Sequence, residues 1–328
     1  MFRTLRIGLL VVLLTPCAIS AGVPSGHMEA VSVSPDGKLL AVVYEYEDEH
    51  ATFIYKVSVD TGVATRLTDA KTGWESNPTF SADAKQIAYS YTPGKGEHSR
   101  IMIGDVNGSN FHVWSLSQSE SFRPLFSPDG KTIILAHSGF FGSYSPIAQP
   151  HPHDWSFYAA DLDGSNVRQL TNESFYMASE ASVSPDGKSM AVVTEGLESP
   201  TQIAIYSLDH PGEPHQSLQP HVPKEPGEPI YNSPNFLANG TSILFLAARD
   251  GIYHYDYDVY RLDLGTGIVE KLTTKNGYAT NLKVFADGKT AVFFKWHSNW
   301  RSIPVKSDLY FLDLESHKLT PFKVIGLN

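Results

Sequence analysis

The sequence predicts an all-β protein, a six-bladed β-propeller with four-stranded antiparallel blades. Three observations predict it: one segment recurs six times along the 328 residues, two different tight turns alternate within the repeat, and no large stretch lies outside the array. A four-stranded sheet of roughly 45 residues cannot bury both apolar faces alone, so several must pack side by side, and closing them in a ring leaves no end sheet exposed.

The recurring segment reads VSVSPDGKLLAVV from Val31, PTFSADAKQIAYS from Pro78, PLFSPDGKTIILA from Pro124, ASVSPDGKSMAVV from Ala181, PNFLANGTSILFL from Pro234 and LKVFADGKTAVFF from Leu282. Its anchors Asp36, Asp83, Asp129, Asp186, Asn239 and Asp287 stand 47, 46, 57, 53 and 48 residues apart. In the first copy Ala30 to Ser34 is a strand, and Pro35-Asp36-Gly37 supplies a preset φ, a side-chain acceptor and a φ > 0 position for a hairpin reversal. Leu39 to Tyr44 is apolar without alternation, as a strand covered on both faces requires. A third strand, Phe53 to Val57, leads to a second turn at Asp60-Thr61-Gly62, and a fourth ends at Leu67-Thr68. The second turn returns at Asp105, Asp161, Asp209 and Asp263, and the closing pair at Leu170-Thr171, Leu272-Thr273 and Leu319-Thr320. The blades fall at about 23–70, 71–118, 119–172, 173–219, 220–274 and 275–328, one domain over 22–328. The last blade is either complete in itself or completed by a strand from Val23 to Met28.

Residues 1–21 carry Arg3 and Arg6, an apolar run from Ile7 to Leu14, and then small residues, the build of a cleaved secretory signal. The expected location is therefore the periplasm or the exterior. Pro16 stands where lipoprotein processing wants a small residue before Cys17, so lipid attachment is not expected. Cleavage removes the single cysteine, which suits an oxidising compartment and excludes disulfide and cysteine-zinc chemistry. No second apolar segment approaches the roughly 20 residues of a membrane span. A net charge of −10 argues against nucleic acid as a partner.

The S-P-D-G-K strings at Ser34 to Lys38, Ser127 to Lys131 and Ser184 to Lys188, each followed by an apolar strand and an Asp-x-x-Gly turn, resemble the repeats of TolB-type six-bladed propellers. The resemblance covers nearly all of the chain after the signal. Related blades occur in prolyl-oligopeptidase-like peptidases and oligogalacturonate-lyase-like enzymes, so the resemblance implies the fold and leaves the function to the site. The first blade begins right after the signal, where TolB-type proteins carry an α/β domain, and the sequence contains no GxSxG elbow.

Strands running from axis to rim put both tight turns on one face, and the second-to-third-strand loops with the blade connections on the other. The second face holds the length variation, in Ser138 to Trp155 and Gln216 to Ser233, and elaborated loops on a rigid scaffold are the usual place for recognition. The third-blade insertion, read as a loop, supplies Phe140, Phe141, Tyr144, His151, His153, Asp154 and Trp155; the sixth blade adds Trp296, His297, Trp300 and Arg301. Flat apolar rings beside hydrogen-bonding groups suit peptide side chains or sugars. Tyr253 to Asp258 alternates as a strand would with Tyr inward and Asp outward, and Trp74, Phe122, Tyr176, Tyr231 and Tyr278 recur once per blade. His50, His98, His137, His254 and His297 stand at unequal offsets from their anchors, so the repeat does not make them converge.

The expectation is an exported, monomeric, non-enzymatic scaffold without a cofactor, binding an envelope protein or glycan. Phe141→Ala with Trp155→Ala is expected to weaken capture at an unchanged melting temperature. The alternative is a metal-dependent polysaccharide-fragment lyase or hydrolase using His137, His151, His153 and His297.

Overall fold

A computed structural model describes residues 26–46, 51–69, 72–94, 97–114, 116, 120–143, 151–175, 180–194, 201–222, 229–249, 256–274, 276–297 and 306–327. They form six antiparallel sheets, each of four consecutive strands in sequential order, and no helix. The fold is the six-bladed β-propeller. Blade 1 comprises Gly26–Val33, Leu39–Tyr46, Ala51–Ser58 and Ala64–Arg66. The first strands of neighbouring blades abut, so they line the axis and the fourth strands form the rim. The second strands are apolar because both faces are covered: Leu40, Ala41, Val42 and Val43 are completely buried, with alternate residues in different inter-blade cores.

The serine and aspartate of the repeat motif have a joint role. Ser34 Oγ donates to Asp36 Oδ1 (2.7 Å) and accepts from Leu39 N (2.9 Å), while Lys38 N donates to the same aspartate oxygen (3.1 Å). The same three bonds recur around Ser81, Ser127 and Ser184. The serine hydroxyl and then the lysine N–H hold all four aspartates below their ordinary pKa. Their contribution to stability is present above the ordinary carboxylate range and is lost as the pH falls through the depressed values.

The residue after the anchor has φ between 67° and 73° at Gly37, Gly130, Gly187, Gly240 and Gly288, whereas blade 2 places Ala84 there at φ 57°. A Cβ costs about 1 kcal/mol or more in that region, so Ala84→Gly is expected to raise the unfolding free energy by about 0.5–1 kcal/mol. Urea denaturation checks this, and an unchanged or lowered midpoint would contradict it.

The closing Leu-Thr also has a physical reason. Leu67 N donates to Ile54 O (2.8 Å) and Thr68 Oγ1 accepts from Ile54 N (3.0 Å), which pins the end of the fourth strand onto the third. Leu170-Thr171 clamps Phe157 and Leu272-Thr273 clamps Val259 in the same way. Leu319-Thr320 does not belong to this set. Leu319 pairs with Leu312, the position Ala64 holds opposite Val57, so the equivalent of Leu67 is Phe322 opposite Leu309.

Blade 6 is complete in its own four strands, and Gly26 to Met28 belong to blade 1. The seam is closed by the tail: Ile325 pairs parallel to Val63, Ala64 N donates to Ile325 O (2.7 Å), and Ile325 N donates to Gly62 O (2.8 Å). Leu327 is buried in the core shared by blades 1 and 6. The expected signal, residues 1–21, lies outside the described residues. Among the described residues no helix is long and apolar enough to cross a membrane.

Candidate functional site

The first strands shape the channel through bulges. Ladder registers shift between Ser76 and Thr79, Phe122 and Leu125, Asn232 and Asn235, and Thr280 and Lys283. Asn77, Arg123, Ser233 and Asn281 occupy left-handed backbone there, at φ 48° to 56°. Such bulges re-aim side chains next to functional or closely packed regions. At the waist Glu180 meets Arg123 Nη1 at 3.9 Å and Lys283 Nζ at 3.7 Å. Burial pushes the Glu180 carboxyl up, but Lys283 and Arg123 outweigh it and hold the group below its ordinary pKa. The surrounding cavity measures about 40 Å³, room for about three or four waters at roughly 10–15 Å³ each. Ligand pockets begin near about 300 Å³, so the waist is a plug rather than a ligand pocket.

Larger hollows of about 500 and 360 Å³ open between successive anchor turns, at Asp129 with Asp186 and at Asp36 with Asp287. Their recurrence at two seams marks them as a by-product of the repeat.

The opposite face carries the predicted residues. The described residues of the blade-3 insertion, 138–142 and 151–155, continue the blade's antiparallel ladder, which corrects their reading as a loop. Thr132–Gly142 and His151–Asp161 are eleven residues each, paired from Thr132 opposite Asp161 as far as Gly142 opposite His151. Alternation along this ladder sets His151 and His153 on one side, with ring centroids 3.9 Å apart. Phe140 stacks on His153 at 5.8 Å. Phe141 meets the edge of His98 at 4.8 Å, and His98 Nδ1 lies 3.3 Å from Glu120 Oε1. Asp154, at φ 54°, points outward and accepts from Ser174 Oγ (2.9 Å). Tyr144 lies outside the described residues.

Trp155 is not a surface residue. It is 6% exposed and sits in the core between blades 3 and 4, against Phe122. The fourth-strand extension explains this, because Trp155 and Phe175 exchange backbone hydrogen bonds of 3.2 and 2.8 Å and cover the indole.

On blade 6, Trp296 donates from Nε1 to Thr280 Oγ1 (2.8 Å) and contacts the rings of Tyr278 and His27. His297 Nε2 pairs with Asp308 Oδ2 at 2.6 Å. Trp300 and Arg301 lie outside the described residues. His137 packs on Tyr158 near Ser121, and burial lowers its pKa. Among the described residues His137, His151, His153 and His297 form no set of three ligands.

Two further readings change. Tyr257 and Asp258 are both buried, the aspartate bridged by Lys271 Nζ at 2.6 Å, so the expected in–out alternation fails there. The once-per-blade aromatics are not equivalent. Trp74 and Tyr278 stand opposite Thr92 and Trp296 and are exposed, whereas Tyr231 stands opposite Ala247, one residue earlier along the second strand, and is buried with its hydroxyl on Pro220 O (2.8 Å).

Sequence reasoning also missed Glu75, a fully buried acid between blades 1 and 2. Its Oε2 accepts from Ile54 N (3.1 Å) and from Thr68 Oγ1, while Oε1 has no hydrogen-bond partner. Burial pushes its pKa up to about 7. The folded state then holds a proton that the unfolded chain releases from about pH 4.5, so stability falls as the pH rises towards 7. Glu75→Gln is expected to remove that slope and to stabilise by about 3 kcal/mol above pH 7, with the difference vanishing near pH 4.5. Urea midpoints against pH test it, and a variant slope equal to that of the unaltered chain would refute it.

No family model matches the chain. It is 24% identical over 233 residues to the Tol-Pal system protein TolB of Francisella tularensis, covering 57% of this chain and about half of that protein. An uncharacterized protein, Atu1656, of Agrobacterium fabrum is 31% identical over 140 residues, covering 42% of this chain and 44% of its own. Among solved structures, TolB from Acinetobacter baumannii superposes with a TM-score of 0.61 at 20% identity, covering 91% of this chain and 63% of that one. An oligogalacturonate lyase from Vibrio parahaemolyticus gives 0.56 at 13% identity, covering 92% and 78%, a likeness of fold alone. The chain spans about half the length of the curated relatives it matches. In repeat sequence and in architecture it is a TolB-like six-bladed β-propeller.

Proposed function

We propose that the chain is an exported, non-enzymatic scaffold of the periplasm that captures an envelope protein, as a monomer, through the face bearing its second-to-third-strand connections. One observation carries this reading. Trp74, Phe140 and Tyr278, exposed by 39%, 39% and 44%, are the exposed aromatic side chains among the described residues, and all three stand at that end of the blades. The other large exposed apolar residues, Val63, Val113, Val167, Ile268 and Ile325, are aliphatic and lie on rim strands, their turns or the tail. Aromatics clustered on one surface are the usual anchors of protein interfaces. The likeness to TolB supports an envelope partner, and the narrow waist supports a surface site.

The test is capture from envelope extract by the full chain and by Trp74→Ala/Phe140→Ala/Tyr278→Ala. The expected result is at least tenfold weaker capture of the same protein with melting unchanged, because exposed substitutions alter stability by about 0.5 kcal/mol or less each. Undiminished capture would place the interface elsewhere. Recovery of the chain from cytoplasm rather than periplasm after cell fractionation would overturn export.

A further inference from the structure

A ligand set that the repeat pattern does not announce lies where blade 1 meets blade 6. His27 and Glu45 are cross-strand partners in the first two strands of blade 1, and Glu29 lies two residues on, at the bulge where the register jumps from Met28 to Ala30. Period two brings His27 and Glu29 to one side of the strand, and cross-strand pairing brings Glu45 beside them. His27 Nε2 is 3.4 Å from Glu29 Oε1 and 3.6 Å from Glu45 Oε2, and one ligand atom from each residue lies within 4.8 Å of the other two. Among the described residues this is the one group of three His, Cys, Asp or Glu ligands so arranged.

The two carboxylates thus bring an oxygen each within 4.8 Å of the other. Like charges at that range repel unless a proton or a cation lies between them. A tetrahedral ion with bonds of about 2.1 Å separates its ligands by about 3.4 Å, which matches the two imidazole-to-carboxylate distances. The surroundings are braced from blade 6. Asn281 Nδ2 donates to Glu29 O (3.0 Å), Met28 N donates to Ser307 Oγ (3.1 Å), Ser307 Oγ donates to Met28 O (2.7 Å), and Trp296 walls the His27 ring at 5.3 Å.

We propose that His27, Glu29 and Glu45 bind one divalent transition-metal ion of the zinc class. An imidazole with two carboxylates is a borderline donor set that suits such an ion over calcium, and the ion neutralises the paired acids. Three protein ligands leave a coordination position open, on the same face as the exposed aromatics. The proposal does not rest on the partner-capture reading.

The test uses tag-free full chain, stripped with chelator and titrated with zinc chloride by calorimetry, then with cobalt(II) as a spectroscopic probe. The expected result is one ion per chain, the visible absorption of tetrahedral cobalt, and a raised melting temperature on loading. Binding is expected to weaken at least tenfold in Glu45→Gln and in Glu29→Gln and to be lost in His27→Gln. Melting curves of the metal-free variants show whether each still folds, and either glutamine variant suffices for the comparison. His151→Ala/His153→Ala, which removes the competing histidine pair, is expected to bind zinc as the unaltered chain does. Absence of stoichiometric binding, binding that survives His27→Gln, or binding abolished only in the His151/His153 variant would each overturn the proposal.

Discussion

Replacing Glu180 with alanine is expected to lower the unfolding free energy by about 3–4 kcal/mol at neutral pH, because it strands Arg123 and Lys283 in the channel waist. The carboxylate is the acid within 4 Å of both cations, and its side chain is only 13% exposed. Arg123 Nε is already buried without a hydrogen-bond partner, and the one unpartnered acceptor lining the waist among the described residues besides Glu180 itself, Asn77 Oδ1, is neutral and cannot replace the carboxylate charge. Glu180→Gln preserves the shape and is expected to cost nearly as much, which separates charge from packing. Replacing all three groups with methionine is expected to recover most of the loss, since an apolar plug removes the desolvation penalty along with the attraction. Because the folded pKa of Glu180 is depressed, its contribution is present above the ordinary carboxylate range and is lost as the pH falls through the folded value. Denaturation curves at pH 7 and at pH 4 read both effects. A loss below about 1 kcal/mol for Glu180→Ala would show that the waist is solvated and the charges are screened.

Trp155→Ala is expected to cost about 3–5 kcal/mol, the range for deleting a buried aromatic from a packed core. The indole fills the space bounded by Phe122, Phe157 and Phe175 at the blade 3–blade 4 seam, and the backbone bridge to Phe175 keeps that space from collapsing. Phe140, on the partner strand of the same hairpin, is exposed, and its removal is expected to change stability by less than about 1 kcal/mol. The contrast revises the test suggested by sequence: pairing Phe141→Ala with Trp155→Ala would confound lost binding with lost folding. Thermal or urea unfolding of the two single variants checks the distinction, and equal melting temperatures would refute it.

The periodic features of the chain were readable before any coordinates. Ser34 with Asp36, Gly37 at positive φ and the apolar second strand are local devices, and each repeats with small variation. Their sixfold recurrence fixes the number of blades. Register was harder. Leu319-Thr320 matches the closing motif in letters, yet it sits three residues early against its partner strand, because pairing is set by the turn and the apolar pattern together rather than by a dipeptide. Trp74 and Tyr231 fail as equivalents for the same reason, since a one-residue slip in a strand sends the side chain to the other face.

The residues proposed for the site were legible in the sequence, but their local structure was less so. Loop length singled out the second-to-third-strand end of the blades and read Phe140, Phe141, His151 and His153 as loop residues, whereas they belong to a continued ladder. Glu75, Glu180 and the His27–Glu29–Glu45 group gave no signal, because each draws its surroundings from another strand or blade. Sequence period reports contacts made within a hairpin, so it yields the turns, the strands and the ring they close into. Burial, paired charge and ligand distance arise where hairpins distant along the chain meet, and packing across the seams and the axis sets them.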